Sequence, residues 1–96
     1  MSTDDAIERM VARYKDVISR FVYGQMSARV FESSYIALFQ TDRDQVLCRE
    51  FNTLDRLFSD VDEYTADPEL RSKVGGLNDE ELRACAREAY RRLYEH

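Results

Sequence analysis

Carboxylates are the residues of this 96-residue chain most able to do chemistry, and they are unevenly spread. Between Asp55 and Glu81 stand nine acids (Asp55, Asp60, Asp62, Glu63, Asp67, Glu69, Asp79, Glu80, Glu81) against three bases (Arg56, Arg71, Lys73), a net charge of −6 in 27 residues. The other 69 residues hold ten acids and eleven bases, so the net charge of −5 resides in this one stretch. Acids this close repel one another at modest cost, and they steer a basic protein toward themselves. The plainer reading is a solvated face with ordinary helix-capping acids. The same charge disfavours nucleic acid as a direct ligand, because phosphate contacts need Lys and Arg.

Other chemistry is poorly served. General acid–base work usually calls for a histidine or a carboxylate with a shifted pKa. The single histidine, His96, is the last residue. Gly75-Gly76 stands alone and forms no phosphate loop, and Asp60 to Asp67 lacks the alternating oxygen ligands and mid-loop glycine of an EF-hand. Cys48 and Cys85 lie far apart among apolar neighbours in helical patterns. They read as buried free thiols, which suits a reducing compartment; one bridge between two helices is the alternative. No catalytic residue, metal site or cofactor is expected.

The elements that position the acids are helices. Ile7, Met10, Val11, Tyr14, Val17, Ile18, Phe21 and Val22 recur at spacings of three and four, predicting a helix from about Asp4 to Tyr23. Ser2 or Thr3 would cap it and Gly24 would stop it. Ser27 caps a second helix with the stripe Val30, Phe31, Tyr35, Leu38, Phe39, and Gln40 to Arg43 reads as a turn. A third helix is expected from near Asp44 to about Glu63, with Leu47, Phe51, Leu54, Phe58 and Val61 on one face. Asp67-Pro68 starts a single turn through Leu70, since Asp caps and Pro suits the first helical position. Asn78 and Glu81 stand in capping-box positions, with Leu77 and Leu82 as the staple, ahead of a last helix whose Leu82, Cys85, Ala86, Ala89, Tyr90 and Leu93 face inward.

Four amphipathic helices with short connections predict an all-α fold, an antiparallel four-helix bundle. Residues 1–96 form one domain, with an expected folded surface of roughly 5,700 Å². The polar, acidic Met1-Ser2-Thr3-Asp4-Asp5 is unlike a signal peptide, and no apolar run is long enough to span a bilayer, so a cytoplasmic protein without a membrane partner is expected. Tyr64 has two readings: it ends the stripe of helix three as a core residue, or it is an aromatic anchor among acids at an interface.

The string Leu57-Phe58-Ser59-Asp60-Val61-Asp62-Glu63-Tyr64-Thr65-Ala66-Asp67-Pro68-Glu69-Leu70-Arg71, with Leu77-Asn78-Asp79-Glu80-Glu81-Leu82-Arg83 after it, resembles the bacterial self-protective colicin-like immunity family. The run from Phe21 through Phe31 fits that family's first interhelical turn and second helix, so the similarity spans nearly the whole chain. The acidic stretch is its most specific part. The resemblance implies a four-helix bundle, not an enzyme, that binds the basic C-terminal nuclease domain of a cognate toxin. In the type member the target is the colicin D domain that cleaves transfer RNA in the anticodon loop, and the inhibitor's acids stand in for RNA phosphates. Its two key acids fall on Asp62 and Asp67 here. The first is Glu in the type member, so Asp62 reaches less far by one carbon, and the type member lacks the Asp67-Pro68-Glu69-Leu70-Arg71 wording. These departures bear on which toxin is bound more than on how. The expected toxin-binding residues are Asp60, Asp62, Glu63, Tyr64, Asp67 and Glu69. The competing expectation is an acidic helical adaptor that binds a basic partner without blocking a nuclease. Nothing in the sequence sets an oligomeric state.

Overall fold

Helices α1 (Thr3–Val22), α2 (Ala28–Thr41), α3 (Arg49–Glu63), α4 (Pro68–Val74) and α5 (Asp79–Tyr94) are the regular elements of the computed structural model, which describes residues 3–95 apart from the side chain of Thr3. Among the described residues there is no β-strand, only an isolated bridge between Tyr64 and Leu77. The all-α expectation holds, with five helices where four were anticipated.

Met10, Tyr14, Ile18 and Phe21 turn one face of α1 fully into the core. Of the two expected caps, Ser2 lies outside the described residues and Thr3 is the first residue of α1, inside the helix. At the other end Gly24 takes φ +77°, and the Gly24 and Gln25 N–H groups donate to the Phe21 and Arg20 carbonyls. This Schellman pattern needs a left-handed residue, which glycine supplies without steric cost. Ser27 caps α2, its hydroxyl accepting from Val30 N–H at 3.2 Å. Phe31 and Tyr35 are buried as anticipated, but Val30 turns to solvent.

The third helix begins later than its pattern suggested. Residues 42–48 are not helical, and α3 starts at Arg49. The reason is Asp42. Its side chain, 3% exposed, accepts from the Tyr14 hydroxyl at 2.9 Å, pairs with Arg13 at 3.2 Å, and accepts from the Asp44 N–H at 3.0 Å. Gln45 donates to the Tyr14 hydroxyl and the Phe39 carbonyl. The Asp42–Asp44 bond offers the backbone an alternative to helix, and the distant Tyr14 and Arg13 hold Asp42 in place for it. Leu47, expected on the core face, is 85% exposed as a result, and Cys48 is the N-cap residue of α3 and not a helical one. Both cysteines are free and half-buried, less enclosed than anticipated.

α4 is longer than a single turn, because Gly75 closes it at φ +74° with its N–H on the Arg71 carbonyl at 2.8 Å. α5 opens on the complete Asn78–Glu81 capping box. Arg83, one turn in, donates to the Phe21 carbonyl at 3.1 Å and lies over the Phe21 ring, tying α5 to the end of α1. Helix α1 packs on α2 and α5, and α3 packs on α2 and α5; α4 takes no part in these pairings. Leu54, Leu57 and Val61 of α3 and Leu82, Ala86 and Leu93 of α5 complete the core. The Tyr35 hydroxyl, buried among them, donates to the Leu54 carbonyl at 2.7 Å. The molecule is elongated, 49 × 23 × 19 Å, which accounts for a surface of 6247 Å², above that of a sphere-like chain of this mass.

Candidate functional site

The acids separated in sequence meet because the chain pinches shut between α3 and α5. The Leu77 N–H donates to the Glu63 carbonyl at 3.0 Å, and the Thr65 N–H donates to the Leu77 carbonyl at 3.0 Å. The Tyr64 hydroxyl donates to Asp79 Oδ1 at 2.6 Å across the same neck. Residues 65–76, including all of α4, form a compact surface excursion beyond this neck. Arg71 pins α4 back onto it, its guanidinium donating to the Thr65 carbonyl at 2.8 Å. Gly76 is required by the close approach: a Cβ there would meet the Thr65 side chain and stand 2.6 Å from the Glu63 carbonyl. The end of α3, all of α4 and the start of α5 therefore share one end of the molecule.

Four of the six expected site residues lie exposed on this end: Asp62, Glu63, Asp67 and Glu69. Tyr64 is placed among them in sequence but is only 6% exposed, with its hydroxyl committed to Asp79. Burial, together with the Asp79 bond, pushes its pKa up to about 12. Of the two readings for Tyr64 the structure takes the core one. Asp60 points elsewhere, into a groove of about 460 Å³ between α3 and α5 that takes in none of the other five residues. There it meets Cys85, and burial raises the Asp60 pKa. The Cys85 thiol is pushed up in turn, by burial first and then by the Asp60 charge. Asp79, Glu80 and Glu81 join the exposed end, although the pattern alone marked them as helix-start acids.

From Asp62 to Glu81 there are seven acids and two bases. Among the described residues, the ion pairs lie elsewhere: Asp42 with Arg13, Asp16 with Arg20, Glu50 with Arg49, and Glu88 with Arg91 and Arg92. None of the seven has a cation of the described residues within ion-pair distance. Some have local work. Asp67 caps α4, accepting from the Glu69 N–H at 3.0 Å, and Asp79, Glu80 and Glu81 occupy the first turn of α5, where the helix dipole favours them. Asp62 and Glu63 have none. They sit in the last turn of α3, which contains no basic residue and whose dipole disfavours negative charge. Two carboxylates are thus held where the fold gains nothing from them.

Chemically this end can accept hydrogen bonds and ion pairs from cations. Among the described residues, no group of three or more His, Cys, Asp or Glu is placed to hold a metal ion. No helix is long and apolar enough to cross a membrane.

A protein-family model described as bacterial self-protective colicin-like immunity matches residues 10–93, from the core of α1 to the last turn of α5. No curated protein and no solved structure matches the chain.

Proposed function

The chain belongs to the bacterial self-protective colicin-like immunity family, and from that premise we propose that it neutralises a cognate toxin by seating its acidic end in the basic active-site cleft of the toxin's C-terminal nuclease domain. The observation that carries this reading is the pair Asp62 and Glu63, exposed and without a cation at a helix end whose dipole opposes them. An exposed acid kept at a modest cost to local stability suits a surface whose counter-charge a partner brings. A cleft built to hold RNA phosphates offers Lys and Arg, and a carboxylate can take an Arg bidentately. Asp67, fixed by its capping bond, and Glu69 extend the same surface onto α4.

In this reading the inhibitor contributes no chemistry, only occlusion. The target is a colicin D-like tRNase, and inhibition takes place in the cytoplasm of the cell that makes the chain. The four longer helices act as an antiparallel bundle whose rigidity keeps the acids in place before binding, which reduces the ordering cost of association. Asp60 acts from the groove as part of the local negative field, and Tyr64 acts by holding the neck.

Protection in cells tests the proposal. The C-terminal domain of the toxin encoded beside this gene is expressed under an inducible promoter, with and without this chain. Growth should be restored by the chain, and transfer RNA should stay intact. Binding without protection would replace inhibition with the adaptor reading.

A further inference from the structure

Helix α4 carries two apolar side chains that the fold does not use. Leu70 is 49% exposed and Val74 is 63% exposed; of the five large hydrophobic side chains left exposed among the described residues, these are the two that share one helix of the acidic end. They stand four residues apart, on one face of the helix. None of the seven residues of α4 is buried, and the helix joins none of the packed helix pairs. A solvent-exposed seven-residue helix with no core contact would ordinarily be marginal. This one is held by an Asp67 cap, a Pro68 start, a Gly75 stop, the Arg71–Thr65 bond and the pinched neck. The chain thus builds a rigid support for an apolar pair and leaves the pair in water.

We propose that Leu70 and Val74 are the apolar anchor of the toxin interface, on the helix that carries Asp67 and Glu69. The inference rests on the toxin-binding reading above and adds to it which residues hold the complex together. The occupant is a basic protein surface with a shallow apolar depression rimmed by Lys and Arg. Charge complementarity argues for that chemistry: the neck brings Asp62 and Glu63 of α3 and Asp79 and Glu80 of α5 to the base of the excursion, Asp67 caps α4 and Glu69 lies on it, and against these six acids α4 carries two bases, Lys73 and an Arg71 that is bonded to the Thr65 carbonyl. A second copy of this chain would bring like charge against like. In the complex the apolar pair would be the desolvated part, which slows dissociation, while the charges near it speed encounter.

The test separates those two roles. Leu70→Ser with Val74→Ser is made in the full chain, and binding to the C-terminal domain of the adjacent toxin is followed by surface kinetics from low to high salt. Dissociation should quicken by about 30-fold or more, with the association rate and its salt dependence kept. Circular dichroism should match the parent, since neither side chain supports the core. The milder Leu70→Ala should show a smaller change in the same direction. An unchanged dissociation rate in the double variant, with the parent binding tightly, overturns the anchor and leaves the toxin reading intact. A parent that does not bind the toxin domain overturns both. Sedimentation of the chain alone as a dimer that the double variant abolishes would assign the face to a second copy and also overturn the proposal.

Discussion

At the scale of single residues, Asp60 and Asp62 are two positions apart yet face different surroundings. Asp60 shares a groove with Cys85, and burial raises its pKa above that of an unfolded chain. Between the unfolded and folded values the native state holds more protons than the unfolded one, so stability falls as pH rises through that interval. Asp60→Asn removes this cost. Its stability at neutral pH should equal or slightly exceed the parent's, within about 0.5 kcal/mol, and its acid-range dependence on pH should flatten. The Cys85 thiol, relieved of the Asp60 charge, should be labelled faster by a thiol reagent at mildly alkaline pH. Chemical denaturation from pH 3 to 8 and a labelling time course check both. A variant markedly less stable at neutral pH would mean that Asp60 is a structural partner and not a tolerated charge. Sequence placed Asp60 with the patch because the stretch is acidic throughout; its direction depends on which face of α3 meets α5, which a list of charges does not contain. Tyr64 illustrates the converse. Its helical position pointed to core packing, its acidic neighbours to an interface, and burial with the Asp79 bond decided between them.

At the scale of elements, α3 carries the strongest tension between stability and use. Its last turn holds Asp62 and Glu63 and no base. Neutralising Asp62 alone, as Asp62→Asn, should therefore stabilise the free protein by about 0.3–1 kcal/mol at low ionic strength, with the gain shrinking as salt is added. Thermal or urea denaturation at two salt concentrations measures it. A loss of stability would show that Asp62 has a structural role and would remove the main support for reading it as a binding residue. The trade is common where a surface is kept for a partner. Caps and stops are the elements most legible in the sequence: Gly24, Ser27, Asp67-Pro68 and the Asn78–Glu81 box each act locally, through bonds within a few residues. The start of α3 was misread because its brake is not local. Asp42 is withdrawn from helix by Arg13 and Tyr14, 29 and 28 residues away. Once residues 42–48 are not helical, Leu47 loses its place on the core face. The exposed pair on α4 was hidden for a related reason: Leu70 looked like the end of a single turn until Gly75 carried the helix on to Val74.

At the scale of the whole molecule, the core and the acidic surface occupy different parts of the fold. The aromatic and aliphatic core from Met10 to Leu93 supports the packed helices, and the acids gather where α3 ends, α4 projects and α5 begins. A pinched neck of two backbone bonds and one tyrosine converts a cluster in sequence into a surface in space. That surface supports reading the chain as a toxin inhibitor, so the affinity of a version neutralised at Asp62 and Asp67 is the decisive quantity. Asp62→Asn with Asp67→Asn keeps side-chain shape, and Asn caps a helix about as well as Asp. If the two carboxylates are desolvated against toxin cations, each loss costs about 2–5 kcal/mol of binding. Titration calorimetry of the double variant against the adjacent toxin's C-terminal domain, beside Asp4→Asn as a remote control, should show Kd raised by orders of magnitude for the first and little changed for the second, with helicity equal in both. A double variant that binds as tightly as the parent would contradict the assignment and place the interface on another face of the helices.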